Sequence, residues 1–308
     1  MAKEMKIQTK DLLTLNELSK NELLGIIENA IKLKKDLKKG ISKPVLKNKT
    51  LAMIFQKPST RTRVSFETGM FQLGGHALNL SADDLQLKRG ETIEDTAKTL
   101  SRYVDLIMAR VYSHDEVEML AKNSTVPVIN GLSDSFHPCQ ILADLMTIQE
   151  KKKKLKGLKI AWIGDGNNVC NSMIYGCAKT SIDIHIATPK GYEPSPDVVK
   201  ESKKLTDVQL VTDPVLAVKN ADVIVTDTFV SIHHQATDRT KAFLPRFQVN
   251  SDLMKKANHN AIFLHCLPAK RGQEVTSEVI DGPQSVIWDE AENRLHAQKA
   301  LMASLVRV

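Results

Sequence analysis

The sequence predicts an α/β protein made of two doubly wound parallel-sheet domains of similar size, with the C-terminal helix packing back on the first domain. Three observations predict it. Short apolar runs such as Thr50 to Phe55, Leu106 to Ala109 and Lys159 to Ile163 alternate with helical patterns, as strands buried on both faces of a parallel sheet do. The alternation occurs in two series, one on each side of a helical stretch near Leu145 to Lys156. Polar residues recur just after the apolar runs, at the strand ends where parallel sheets collect ligands. A chain of 308 residues, 42% hydrophobic and 26% charged, is long enough for two separate cores. The expected division is 1–147, 148–289 and a returning helix over 290–308.

Taken in order, Ser19-Lys20-Asn21-Glu22 has the spacing of a capping box and opens an amphipathic helix that stops at Lys38-Lys39-Gly40. Thr50 to Phe55 is a buried strand, Pro58 a corner, and Val64 to Met70 the helix beyond it. A polar segment from Ser81 to Thr92 carries Asp83, Asp84, Gln86, Lys88 and Arg89; loops of that length in a compact domain are usually functional or mobile. Helix Ile93 to Tyr103, strand Leu106 to Ala109, helix His114 to Lys122 and strand Val126 to Ile129 follow. Pro138 opens a long helix through Ile148, with His137 and Gln140 at its start. The second series has strands at Lys159 to Ile163, Ile182 to Ala187, Val208 to Val211, Val223 to Thr226, Ile262 to Leu264 and Val286 to Trp288. Helices lie about Val169 to Lys179, Asp197 to Leu205 and Pro214 to Lys219, with a final one from Glu290.

Composition removes several classes of function. No run of about 18 apolar residues is present and Met1 to Lys6 lacks the apolar core of a signal peptide, so neither a membrane partner nor export is expected and a cytoplasmic location is. Four cysteines without Cys-x-x-Cys spacing or paired histidines predict reduced thiols and no metal. The net charge of +7 includes a basic run from Lys151 to Lys156 at the end of a helix, where cations complement the dipole. With 5% aromatics there is no stacking platform, so no nucleic-acid partner is expected.

The stretch Ser59-Thr60-Arg61-Thr62-Arg63 stands between a strand and a helix. Two readings fit it: a phosphate pocket made of helix-start amides, hydroxyls and a guanidinium, or a capped helix with solvated arginines. Arg110, Asp165 to Asn168, Asp227 and Cys266 each follow an apolar run. Gly164-Asp165-Gly166-Asn167-Asn168-Val169 approaches a dinucleotide fingerprint, but valine replaces its third glycine, so no nicotinamide cofactor is expected. Asn168 suits an amino-acid carboxylate or ammonium instead. Cys266 is either a site thiol or a small buried apolar residue, and His137 a site group or a structural histidine.

Ser59-Thr60-Arg61-Thr62-Arg63 with Ser65-Phe66-Glu67, then His137-Pro138-x-Gln140, resembles the aspartate and ornithine carbamoyltransferases. Asp165-Gly166-Asn167-Asn168, Asp227 with Ser231, His265-Cys266-Leu267-Pro268 and Glu292-Asn293-Arg294 are similar to the ornithine branch. The resemblance runs from about Leu12 to the C-terminus. It implies that carbamoyl phosphate is held by Ser59, Thr60, Arg61, Thr62, Arg110, His137, Gln140, Cys266, Leu267 and Arg294, with Gln86 supplied by a neighbouring subunit. It implies that L-ornithine meets Asn168, Asp227, Ser231 and Ile232, and that Arg61, Arg110, His137 and Cys266 take part in catalysis. It implies a homotrimer, or a multiple of trimers, with shared sites, and neither cofactor nor metal.

One departure bears on the substrate. The ornithine branch usually carries Ser-Met-Gly where this chain has Ser231-Ile232-His233-His234, and His233 restricts backbone conformations that glycine visits freely. Putrescine or an N-acylated ornithine is therefore the alternative acceptor. A non-catalytic binding subunit is the rival of another class, and intact Arg61, His137, Gln140 and Arg294 argue against it.

Overall fold

In the computed structural model, residues 7–81, 85–86, 90–230 and 239–306 are described. The chain divides into two compact units, Met1–Met146 with Glu292–Val308, and Thr147–Ala291. In unit 1, α1 (Lys20–Lys38) is capped by Ser19, whose hydroxyl accepts from Glu22 N at 3.3 Å while the Glu22 carboxylate accepts from Ser19 N at 2.8 Å. Then follow β1 (Thr50–Phe55), α2 (Thr60–Gln72), β2 (His76–Ser81), α3 (Ile93–Leu100), β3 (Leu106–Arg110), α4 (His114–Asn123), β4 (Val128–Leu132) and α5 (Pro138–Lys152). Among the described residues the strands form a parallel sheet in the order β2-β1-β3-β4. β3 and β4 are buried at every position, which explains why they read as unbroken apolar runs.

Unit 2 continues with β5 (Lys159–Ile163), α6 (Asn168–Thr180), β6 (Asp183–Ala187), α7 (Pro196–Ser202), β7 (Val208–Val211), α8 (Pro214–Val218) and β8 (Val223–Thr226). It is completed by α9 (Arg239–Phe243), α10 (Ser251–Met254), β9 (Ile262–His265) and α11 (Ser277–Ile280). Its parallel sheet runs β7-β6-β5-β8-β9. One face of that sheet buries Ala161, Ile163, Ile224 and Phe263 with Phe229 and Phe243, whose rings stack with centroids 4.5 Å apart. Each of these isoleucine and phenylalanine side chains contributes about 1.5–3 kcal/mol when fully buried. The last helix, α12 (Ile287–Leu305), joins unit 1 from Glu292 onward. There Lys34 Nζ donates to Asn293 Oδ1 at 2.7 Å and Lys299 Nζ to Gln72 Oε1 at 2.7 Å.

The strand order reverses between β1 and β3 in unit 1 and between β5 and β8 in unit 2. These are the switch points at which open α/β sheets bind ligands beyond the strand ends. Several expectations change. Val286 to Trp288 is not a strand: Ser285 makes an isolated bridge to Phe263, and Ile287 already begins α12, with Asp289 and Glu290 in the first turn, where acidic residues favour a helix. The strand expected over Val126 to Ile129 begins at Val128, because Pro127 has a carbonyl for Ile107 N but no N–H to give. The helix expected to reach Tyr103 ends at Leu100. β2 has no counterpart in the sequence pattern, since an edge strand with no fully buried position carries no apolar run. Half of the Ser81 to Thr92 loop, including Asp83, Asp84, Lys88 and Arg89, and residues 231–238 lie outside the described residues. No helix of the described residues is long and apolar enough to cross a membrane.

Candidate active site

Unit 1 gathers its polar groups at the β1/β3 switch point. Ser59 caps α2: its hydroxyl accepts from Thr62 N at 3.4 Å and donates to Thr62 Oγ1 at 3.1 Å. The first turn of a helix has no intrahelical acceptors for its amides, which suits it to an anion. Arg110, the last residue of β3, is buried, and so is His137, immediately before α5. From α12 comes Arg294, also buried; its Nη1 donates to Gln140 Oε1 at 2.5 Å and its Nη2 to Thr62 Oγ1 at 3.3 Å. Gln140 in turn donates to Asp144 Oδ1 at 2.8 Å. With its amide turned so that oxygen faces the guanidinium, Gln298 accepts from Arg294 Nε at 3.3 Å and donates to Ser65 Oγ at 2.5 Å.

The electrostatics of this cluster are read from His137. Burial, and then the charges of Arg294, Arg110 and Arg61, hold its proton affinity well below the ordinary histidine range. A neutral imidazole therefore stands among three guanidinium ions. Lys57 adds a further cation: it is buried, its Nζ lies 3.9 Å from the Tyr112 ring centroid, and burial followed by the charge of Arg110 lowers its pKa. So much desolvated positive charge in one place favours a multiply charged anion. Lys57 stands two residues before the Ser59 to Arg63 motif, and nothing in the sequence alone marks it as a neighbour of Arg110. Thr60 is exposed at the start of α2, and Gln86 stands exposed in a short turn where its carbonyl accepts from Glu91 N at 3.2 Å.

Unit 2 builds its site at the β5/β8 switch point. Beyond β5, Asn167 caps α6, its Oδ1 accepting from Val169 N at 3.0 Å and Cys170 N at 3.1 Å, while its Nδ2 donates to Asp227 Oδ2 at 2.8 Å. Asp227, beyond β8, also accepts from Cys266 Sγ at 3.1 Å. Asn168 is buried beside them in the first turn of α6. Of the two neighbouring amides it is Asn167, and not the Asn168 expected from the sequence, whose side chain touches the Asp227 carboxylate. Gly166 permits the turn: a Cβ there would stand 2.2 Å from Pro194 N and 2.4 Å from the Glu193 carbonyl carbon. Gly166→Ala is expected to destabilise the protein by about 3 kcal/mol, because the clash is with backbone. Urea denaturation checks it, an unchanged midpoint being the contrary result. Ser231 and Ile232 lie outside the described residues.

The loop carrying Cys266 and Leu267 is held from behind. Leu267 has φ of +58°, a left-handed conformation that costs a non-glycine residue about 1–2 kcal/mol. Its N–H donates to His265 Nδ1 at 2.9 Å, which leaves the ring proton on Nε2, facing Glu274 Oε1 at 3.2 Å. Both His265 and Glu274 are fully buried. Asp227, His265 and Cys266 offer ligand atoms within 4.8 Å of one another, but both imidazole nitrogens are already engaged, so this trio has no free histidine lone pair for a cation. Replacing Glu274 by leucine strands His265 Nε2 and the Lys270 N–H, which also donates to Glu274. The expected cost is about 2–4 kcal/mol, readable as a lower denaturation midpoint.

The comparisons with known proteins follow the same division. Residues 10–150 match the carbamoyl-P binding domain of aspartate/ornithine carbamoyltransferase, and residues 156–305 match its Asp/Orn binding domain. A relative named ornithine carbamoyltransferase from Cenarchaeum symbiosum is 63% identical over 302 residues, covering 98% of this chain and 99% of that one. Another of that name from Pyrococcus horikoshii is 56% identical over 307 residues, covering 97% and 96%. The solved structure of ornithine carbamoyltransferase from Pyrococcus furiosus is similar with a TM-score of 0.93 at 56% identity, covering 96% of both chains. That from Thermus thermophilus gives 0.89 at 41%, covering 97% and 99%. Two family models spanning nearly the whole sequence, and relatives this similar end to end, show that the chain belongs to the aspartate/ornithine carbamoyltransferase family.

Proposed function

We propose that the chain is an ornithine carbamoyltransferase, moving the carbamoyl group of carbamoyl phosphate to the side-chain amine of L-ornithine and releasing L-citrulline and phosphate. The observation that carries this reading is the neutral His137 surrounded by Arg61, Arg110 and Arg294, beside the capped start of α2. That is a site for a dianionic acyl phosphate whose carbonyl must also be polarised. Unit 1 takes carbamoyl phosphate and unit 2 takes ornithine, whose ammonium pairs with Asp227.

In this reading the neutral amine attacks the carbonyl carbon, forming the C–N bond as negative charge collects on the carbonyl oxygen. Thr62, Arg110 and His137 are the donors aimed at that oxygen, and preorganised donors of this kind are worth about 3–4 kcal/mol each. The C–O bond to phosphate then breaks, and Arg61, Arg294 and the α2 amides hold the leaving dianion. The amine passes one proton to the departing phosphate, which thus leaves as the hydrogen phosphate dianion and the product as a neutral urea. Free in water the amine has a pKa of about 10, so the pocket must favour the neutral form by desolvation. The thiol of Cys266, donating to Asp227, serves as a polar wall for the amine rather than as a nucleophile. Leu267, held in place by His265, offers its backbone to the carbamoyl group.

The same reading makes the protein a cytoplasmic homotrimer, or a multiple of trimers, with Gln86 completing the site of a neighbouring subunit; the resemblance of the motif set supports this. The test is carbamoylation of L-ornithine, putrescine and N-acetylornithine side by side. Ornithine is expected to be carbamoylated fastest. A faster reaction with putrescine would overturn the choice of acceptor, and no product from any amine would overturn the activity.

A further inference from the structure

Arg239, the first residue of α9, makes more contacts than a solvated arginine needs. Its Nη2 donates to Asp165 Oδ2 at 2.6 Å, its Nε donates to the Phe229 carbonyl at 2.9 Å, and its guanidinium lies 4.5 Å from the Tyr192 ring centroid and 5.9 Å from that of Phe243. These partners come from the ends of β5 and β8, from the segment after β6 and from α9 itself. Asp165 begins the turn that carries Asn167 and Asn168, and that turn is pinned further by Trp162 Nε1 on the Asp165 carbonyl at 2.9 Å and Gly166 N on the Tyr192 carbonyl at 2.9 Å. Asn167 then reaches Asp227. The guanidinium thus sits behind the carboxylate that faces the amine substrate, one hydrogen-bonded step removed through Asp165 and its turn.

We propose that Arg239 is a positioning residue for the amine-accepting half of the reaction: by clamping Asp165, the Phe229 carbonyl and the Tyr192 ring together, it fixes the Asn167–Asp227 pair that receives ornithine. The proposal rests on the ornithine reading above. Charge gives the arrangement a second consequence. Asp165 and Asp227 are close enough to repel, and Arg239 matches the charge of Asp165 alone, so the carboxylate left to attract the substrate's ammonium is Asp227. Arg239 therefore decides which of two neighbouring carboxylates the substrate meets.

The groups facing Asp165 are Arg239 from α9, Asp227 after β8 and Cys170 from α6. Burial pushes the Asp165 carboxyl up to about 6, against the opposing pull of Arg239 and with a smaller push from Asp227. Removing the guanidinium removes the only downward pull among these, so Asp165 holds its proton to higher pH. The acid limb of kcat/KM for ornithine should accordingly move to higher pH.

The test uses full-length wild-type enzyme, Arg239→Gln and Arg239→Lys, with KM for each substrate, kcat, the pH profile and the melting temperature. For Arg239→Gln, KM for ornithine is expected to rise roughly tenfold or more while KM for carbamoyl phosphate stays within about twofold, the acid limb moving up in pH and lysine restoring part of the loss. An ornithine KM within about twofold of wild type, or equal rises in both KM values accompanied only by a lower melting temperature, would overturn the proposal. If wild-type enzyme forms no citrulline, the activity reading itself has failed; if it does and Arg239→Gln is unchanged, only the role of Arg239 has.

Discussion

Arg61→Ala is expected to lower kcat by about a hundred- to a thousandfold while leaving the protein as stable as before. Arg61 is half-buried in the first turn of α2 and makes its charge felt at His137 alongside Arg110 and Arg294. In the proposed reading its role in transfer is to match negative charge that grows on the phosphate as the C–O bond breaks, which no neighbouring hydroxyl replaces. Its role in folding is small, since alanine is a good helix former and the cluster loses one of several mutually repelling cations. The melting temperature should be unchanged or slightly raised, as when a strained charge cluster is relieved. Steady-state kinetics together with a melting curve separate the two effects. Near-normal turnover would remove Arg61 from the phosphate site, and a large loss of stability would make it structural.

Asp227→Asn should act on the other substrate. The carboxylate accepts from Asn167 Nδ2 and Cys266 Sγ, and in the proposed reading it supplies the negative charge for the ammonium of ornithine. An amide there presents an NH2 group where two donors already point and removes the charge. The expected result is a fall of about a hundredfold in kcat/KM for ornithine, with carbamoyl phosphate bound as tightly as by the wild type. Equilibrium binding of carbamoyl phosphate to the variant checks this directly. If its affinity falls in parallel with ornithine use, the assignment of one substrate to each unit is wrong.

The difference between what the sequence predicts and what it leaves out follows the range of the interactions. The cap at Ser19 and Glu22, the buried strands β3, β5 and β8, and the corner at Pro58 and Ser59 are local, so their residues announce them. β2 is silent because an exposed edge demands no apolar pattern. Val286 to Trp288 misleads because a run of Val, Ile and Trp satisfies strand preferences, while the Asp289 and Glu290 that follow favour a helix start. Polar residues at strand ends identify Arg110 and Asp227, whose place at a switch point the sheet order explains.

Distant partners are not legible in this way. Arg239 meets Asp165 across 74 residues and Arg294 meets Thr62 across 232, and no periodicity brings such pairs together. Arg294 was found only because its motif resembles a known family. Glu274, which faces His265 from behind the Cys266 loop, had no comparable signal. Asn167 is hidden for a different reason: it stands beside Asn168, whose amide has the same chemistry, and the fold decides which of them reaches Asp227. Lys57 precedes a proline corner, and its nearness to Tyr112 and Arg110 is again a matter of distant partners.

The central claim is that Arg61, Arg110, His137 and Arg294 grip an acyl phosphate while Asp227 receives the amine. The most direct measurement is a crystal structure with a bisubstrate mimic in which a phosphonate is joined through an acetyl carbonyl to the side-chain nitrogen of ornithine. The account predicts phosphonate oxygens about 3 Å from Arg61 and the first-turn amides of α2, the carbonyl oxygen at His137 and Arg110, and the α-ammonium on Asp227. A phosphonate bound away from Arg61 and Arg294, or an ammonium that does not reach Asp227, would contradict it.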